Sequence, residues 1–206
     1  MLVFSRGLAL ADTKFRSDVN GVSPGSNVGA DIRALRKSRG NSLSELAEAI
    51  GRSVGFVSQV ERNLSEPSIA DLKRIAAFFG VTVGFFLGHT PASPTEAGTV
   101  VRAGNRRRLG SADQGLIEEL ISPDLGSPFE MVRSVFQPGA ELTEPTLRET
   151  QETGFVVDGR FEIEIDGTWF NLNPGDSFHV DHQPMRWRNR GDRNAVVIWT
   201  IAPPIY

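Results

Sequence analysis

The stretch from Ser42 to Asn63, SLSELAEAIGRSVGFVSQVERN, restricts the possible folds more than any other part of the chain. Leu43, Leu46, Ala47 and Ile50 recur at helical spacing and give one apolar face. Gly51 follows at once, and glycine takes the left-handed conformation that ends a helix at the least cost. Ser53 stands where an N-cap belongs, and Val57 and Val60 give a second helix its own inward side. Ala47 is small and Gly51 has no side chain, so the two helices can approach closely at a steep angle. A helix-turn-helix unit requires this arrangement.

With that inward face assigned, Val54, Gly55, Ser58, Gln59 and Arg62 point away from the core. Gln59 is suited to a bidentate pair with an adenine edge in a major groove, and Val54 to a thymine methyl. Ser53, Arg62, Asn63 and, from the first helix, Arg36 complete the candidate DNA-binding set, the arginines and Asn63 as phosphate contacts. A helical bundle with a solvated polar face is the competing reading of the same pattern.

The surrounding chain resembles the Cro/C1-type (XRE-like) DNA-binding domain over about residues 28–88. The specific part is Ser58-Gln59-Val60-Glu61-Arg62 followed by Pro67-Ser68 and Leu72. The resemblance implies that the Glu-Arg pair closes the recognition helix and that the Pro-Ser turn opens a fourth helix. Leu43 departs from the family pattern, standing where many members carry a glutamine that contacts DNA. A first helix is expected from Val28 or Gly29 to Ser38, with Ile32 and Leu35 inward and Arg33, Arg36, Lys37 and Arg39 mostly outward. The fourth carries Leu72, Ile75, Ala76 and Phe79 inward and ends at Gly80, and a fifth spans Val83 to Leu87.

Charge supports this division. Residues 1–88 hold 11 Lys/Arg against 8 Asp/Glu, whereas residues 89–206 hold 11 Arg against 17 Asp/Glu. A basic front and an acidic rear suit a DNA reader joined to something that is not one. The expected domains are a flexible arm at 1–27, a helix-turn-helix domain at 28–88, a Pro-rich linker at 89–98 and a second domain at 99–206. No stretch has the roughly 20 apolar residues of a membrane span, and no signal-like core opens the chain. The absence of cysteine excludes disulfides and thiolate sites and agrees with a cytoplasmic home.

After Thr99 the apolar period falls to two. Phe161, Ile163 and Ile165 alternate with Glu162, Glu164 and Asp166, and Asp158-Gly159 and Asp166-Gly167 are hairpin-turn pairs. Further strands are expected at 100–102, 116–121, 130–136, 153–157, 169–172, 177–180, 185–188 and 195–201, so that the rear domain is a barrel or jelly roll. Arg106-Arg107-Arg108 is read as a solvated turn or strand edge, or as part of an interface. His89 in the linker has no assigned role, and His179 and His182 are expected at a surface or edge.

The rear domain resembles a small-barrel cupin. The residues that carry the likeness are Glu152-x-Gly154-Phe155-Val156-Val157-x-Gly159, Leu172-x-Pro174-Gly175-Asp176-Ser177 and Pro184-x-Arg186-x-Arg188-Asn189. Metal-binding cupins bring two histidines and a glutamate from the first motif and one histidine from the second to one ion. Here the glutamate position falls on Glu152, while the first-motif histidine positions fall near Thr146 and Arg148 and the second-motif position on Met185. A guanidinium in the pocket opposes a divalent metal, so neither a metal nor any other cofactor is expected. Arg148, Glu152, Met185 and Trp187 are the candidate ligand-binding residues, with the alternative that they fill the barrel.

The fold expected from both resemblances is multidomain: an all-α, five-helix Cro/C1-type domain followed by an all-β cupin jelly-roll barrel. Helix-turn-helix followed by cupin is the plan of a family of bacterial transcription regulators that sense small metabolites. The expected function is therefore a sequence-specific, non-enzymatic regulator, a homodimer on a double-stranded DNA operator that responds to a small-molecule effector. A cupin metalloenzyme, oxygenase or isomerase, with an appended DNA-binding domain is the alternative. A helical domain used for protein contacts is a third reading.

Overall fold

The computed structural model describes residues 28–87, 93, 95–110 and 115–205. The expected N-terminal arm and His89 lie outside the described residues. Five helices open the described chain: α1 (Val28–Ser38), α2 (Leu43–Ile50), α3 (Val54–Glu61), α4 (Ile69–Phe79) and α5 (Val83–Leu87). Local chemistry sets their limits. Ser42 and Glu45 form a capping box at the start of α2, and Ser68 and Asp71 form another on α4. Gly51 and Gly80 end those helices at φ 66° and 64°. Ile32, Leu35, Leu46, Ile50, Leu72, Ile75, Phe79, Phe85 and Phe86 are at most 1% exposed. Each contributes about 1.5–3 kcal/mol relative to a solvated side chain.

Among the described residues nine strands follow, all paired antiparallel. They are β1 (Arg107–Leu109), β2 (Leu116–Leu120), β3 (Glu130–Phe136), β4 (Gln151–Asp158), β5 (Phe161–Ile165), β6 (Thr168–Leu172), β7 (Ser177–Asp181), β8 (Met185–Arg188) and β9 (Ala195–Ala202). One sheet runs β1-β2-β3-β9-β4-β7 and the other β6-β5-β8, giving the two-sheet jelly roll. The inward side chains alternate along β3, β4 and β9. Phe136, Phe161, Phe178, Trp187 and Trp199 meet at ring-centroid separations of 4.5–6.2 Å and fill one part of the interior.

The cupin-like motif residues shape this barrel. A Cβ on Gly154 would lie 2.1 Å from the Phe178 ring, so glycine there admits the aromatic packing. Gly175, at φ 97°, turns the Pro174-Gly175-Asp176 corner, and its N–H donates to the Val156 carbonyl at 2.9 Å. Asn189 is buried, donating to the Phe136 and Arg193 carbonyls at 2.8 and 2.9 Å. These groups hold the scaffold and do not line a site.

One expectation about the strands fails. Residues 100–102 are not a strand; the Thr99 and Val100 N–H groups both donate to the Glu96 carbonyl and close a turn instead. Of the readings given to the arginine run, the strand edge holds: the first strand, Arg107–Leu109, is at the edge of its sheet, with Leu109 buried and Arg107 and Arg108 paired with Leu120 and Glu119 across the ladder. His179 and His182 are exposed, as expected. His179 Nδ1 lies 3.2 Å from Thr153 Oγ1, and His182, at φ 51°, lies past the end of β7. Among the described residues no helix is long and apolar enough to cross a membrane.

Candidate DNA interface and barrel site

The turn between α2 and α3 works as its residues suggest. Ser53 Oγ accepts the Phe56 N–H at 3.1 Å and caps α3, while Val57, Val60 and Glu61 are buried on its inner side. Outside, Val54 is 44% exposed, Gly55, Gln59 and Arg62 are exposed, and Ser58 is partly covered. Arg62 folds back along the helix, its Nε donating to the Ser58 carbonyl at 3.1 Å. Gln59 is exposed, and among the described residues its amide has no hydrogen-bond partner.

Two expected contacts have internal duties. Asn63, at φ 56°, accepts the Gly29 N–H at 3.2 Å and ties the end of α3 to the start of α1. A Cβ on Gly29 would lie 2.0 Å from the Val60 carbonyl oxygen, so these helices touch backbone to backbone. Arg36 departs further from its expected role on phosphate. Its Nε and Nη2 grip Glu61 at 2.6 and 3.0 Å, and its Nη1 donates to the Asn41 carbonyl. With its side chain 11% exposed, it braces α3 from within. The outward assignment also fails for Arg39, whose guanidinium turns toward the barrel. Nothing local betrays the Arg36–Glu61 pair, since the partners stand 25 residues apart.

Behind α3 a second ion pair holds the turn. Arg52 Nε and Nη2 reach Asp71 at 2.9 and 3.0 Å, and Ser68 Oγ donates to the same carboxylate at 2.7 Å. These bonds, those of Arg52 first, hold the Asp71 pKa down at about 2 against the burial that would raise it.

In the barrel, Arg148 Nη1 lies 3.5 Å from Glu152 Oε1, which also accepts the Thr150 hydroxyl at 2.8 Å. Glu152 is 2% exposed, whereas the Arg148 side chain is 35% exposed at the rim. The other carboxylate oxygen, Oε2, is buried with no hydrogen-bond donor among the described residues. Met185 pairs with Thr146 through two backbone bonds of 2.8 and 3.0 Å, which sets segment 146–148 beside β8. Met185 and Trp187 are 5% and 6% exposed, and Trp187 packs 4.5 Å from Phe136 in the aromatic core. The structure thus joins Arg148 to Glu152 directly and assigns Trp187 to the packed interior.

These residues do not fit a divalent metal. Glu152 is the single acidic or histidine ligand at the four positions, and a guanidinium lies beside it. Among the described residues no group of three or more His, Cys, Asp or Glu is placed to hold an ion.

Comparison with known proteins agrees with both halves. Residues 32–86 match the helix-turn-helix family and residues 132–201 the cupin domain family. The HTH-type transcriptional regulator SutR of Escherichia coli K12 is 33% identical over 166 residues, covering 79% of this chain and 86% of that protein. This chain belongs to the HTH-type transcriptional regulators. The regulator is also 25% identical over 164 residues to PuuR of the same organism, across 78% of this chain and 84% of that one. A crystal structure of an HTH_3 family regulator from Vibrio cholerae aligns over 87% of the regulator and 97% of its own chain, at 23% identity and a TM-score of 0.42. The Cro/C1-type and cupin resemblances drawn from the motifs hold for the regulator.

Proposed function

We propose that this chain is a sequence-specific, metal-free regulator that reads an operator with α3 and senses a small molecule in its barrel. The observation that carries the reading is the outward face of α3, where Val54, Gly55 and Gln59 are exposed while the helix is braced from behind by Glu61 and Arg36. Gln59 reads a base edge, Val54 contacts a methyl, and Ser53, Ser58 and Arg62 meet the backbone. Arg36 and Asn63 support the helix instead of touching DNA. A homodimer in the cytoplasm places two such helices in successive major grooves, about 34 Å apart. The effector lies at Arg148 and Glu152, with Met185 as wall, and shifts the regulator only through unequal affinity for two states. Glu152 Oε2 supports that site, because a buried acceptor without a donor is costly and a ligand that supplies one relieves the cost.

The test is binding to random-sequence duplexes followed by competition at several salt concentrations. Gln59→Ala is expected to relax base preference at one position by about 1–3 kcal/mol. Arg62→Ala is expected to weaken binding to every sequence and to lower the salt slope by about 1. Unchanged affinity and preference in Gln59→Ala would refute the assigned reading face. Near-stoichiometric iron or manganese retained by purified protein after dialysis would refute the metal-free barrel.

A further inference from the structure

Two arginines join the helical domain to the barrel from opposite sides. Arg107 on β1 reaches into the helices: Nη2 meets Asp31 Oδ1 of α1 and Nη1 donates to the Phe85 carbonyl of α5, both at 2.9 Å. Its guanidinium also stacks 5.0 Å from the Phe85 ring centroid. Arg39, just past α1, reaches the other way. Its Nη1 donates to the Phe79 carbonyl at the end of α4, and its Nη2 donates to the Ile205 carbonyl at 2.8 Å. The same guanidinium lies 5.5 Å from the Phe79 ring centroid. Ile205 is in turn held by its N–H, which donates to the buried Glu130 at 2.8 Å. Both cations are largely covered, and burial lowers the Arg39 pKa, so the contacts are made inside a joint and not in open solvent.

Covalent connection alone does not set the relative pose of the two domains. Residues 88–106 separate α5 from β1, and a tether of that length spans about 60 Å when extended. The joint is planar and bidentate in character: each guanidinium combines a backbone carbonyl of the helical domain with stacking on one of its buried phenylalanines, which resists rotation as well as separation.

We infer that Arg39 and Arg107 are positioning residues that fix the reading head on the barrel, and so set the spacing between the two half-sites the dimer accepts. This inference rests on the proposed reading of DNA by a barrel-linked dimer. Neither arginine lies on the outward face of α3, so neither is needed for the affinity of a single half-site.

The test is selection from a pool of random-sequence duplexes by full-length wild type, by Arg39→Gln/Arg107→Gln, and by Asp31→Asn, which weakens the joint from the helical side by removing the charge that faces Arg107. Wild type is expected to enrich paired half-sites at a single centre-to-centre spacing. The double variant is expected to enrich the same half-site over spacings several base pairs wide, keeping single half-site affinity within about twofold because no base-facing residue changes. Asp31→Asn is expected to broaden the distribution less, and remains informative if the double variant loses its helical circular dichroism. An unchanged narrow spacing in folded joint variants overturns the inference while leaving the DNA reading intact. Loss of single half-site affinity in those variants also overturns it, since the joint would then serve the fold of the head. If wild type enriches no sequence, the DNA reading fails and the inference with it.

Discussion

The buried carboxylates of the helical domain and Glu152 of the barrel are held in opposite ways. In the helical domain the buried carboxylates Glu61 and Asp71 each meet an arginine through two hydrogen bonds, and Asp71 also closes a capping box. In the barrel, Glu152 meets Arg148 at 3.5 Å through one oxygen and leaves the other without a donor among the described residues. On the proposed reading, α3, whose inner carboxylate is satisfied, displays its chemistry on the outside, whereas at Glu152 the chemistry faces inward.

The contrast can be broken first at Glu61. Glu61→Ala leaves the Arg36 guanidinium covered and without its counter-charge, and is expected to destabilise the helical domain by about 3 kcal/mol. All three tryptophans lie in the barrel, so helical circular dichroism against denaturant follows the head while tryptophan fluorescence follows the barrel. A loss below about 1 kcal/mol would place this pair among ordinary surface contacts.

Acid gives the next effect. The folded Asp71 pKa, about 2, lies below its ordinary value of 3.8. Its contribution is therefore complete above the unfolded value and is lost as pH falls from about 4 toward 2, removing about 2 kcal/mol. The helical signal should lose denaturant resistance over that window, and Asp71→Asn should remove this part of the slope.

The smallest effect is expected in the barrel. Glu152→Gln gives up a weak pair with a partly exposed arginine but also removes a buried charge, so stability by tryptophan fluorescence should change by less than about 1 kcal/mol. A loss of about 3 kcal/mol would instead make Glu152 a structural equivalent of Asp71.

Which of these features could be read from sequence follows from how far their causes reach along the chain. Helix limits depend on neighbours a few positions apart, such as Ser42 with Glu45 or Gly51 after Ile50, and were legible. So were the strands whose two-residue alternation is long enough to show, as in Phe161 to Ile165. Arg107–Leu109 could be read no further than a turn or strand edge, because a three-residue edge strand with two arginines has no visible period. The position of Glu152 followed from the Gly154 to Gly159 motif, but its bare oxygen depends on how β4, Thr150 and Arg148 pack together. Arg36 with Glu61 and Arg39 with Ile205 are partnerships across 25 and 166 residues, and no local pattern announces them.

Gly29 carries a consequence for how such a head can diversify. With the Val60 oxygen 2.0 Å from where a methyl would stand, even alanine there must lever the first helix off the third. The angle at which the reading helix is presented is thus set by the absence of one carbon atom on the far side of it. On the proposed reading, mutational drift on the outward side retunes which bases are preferred, while this hidden position must stay bare for the presentation to be inherited at all.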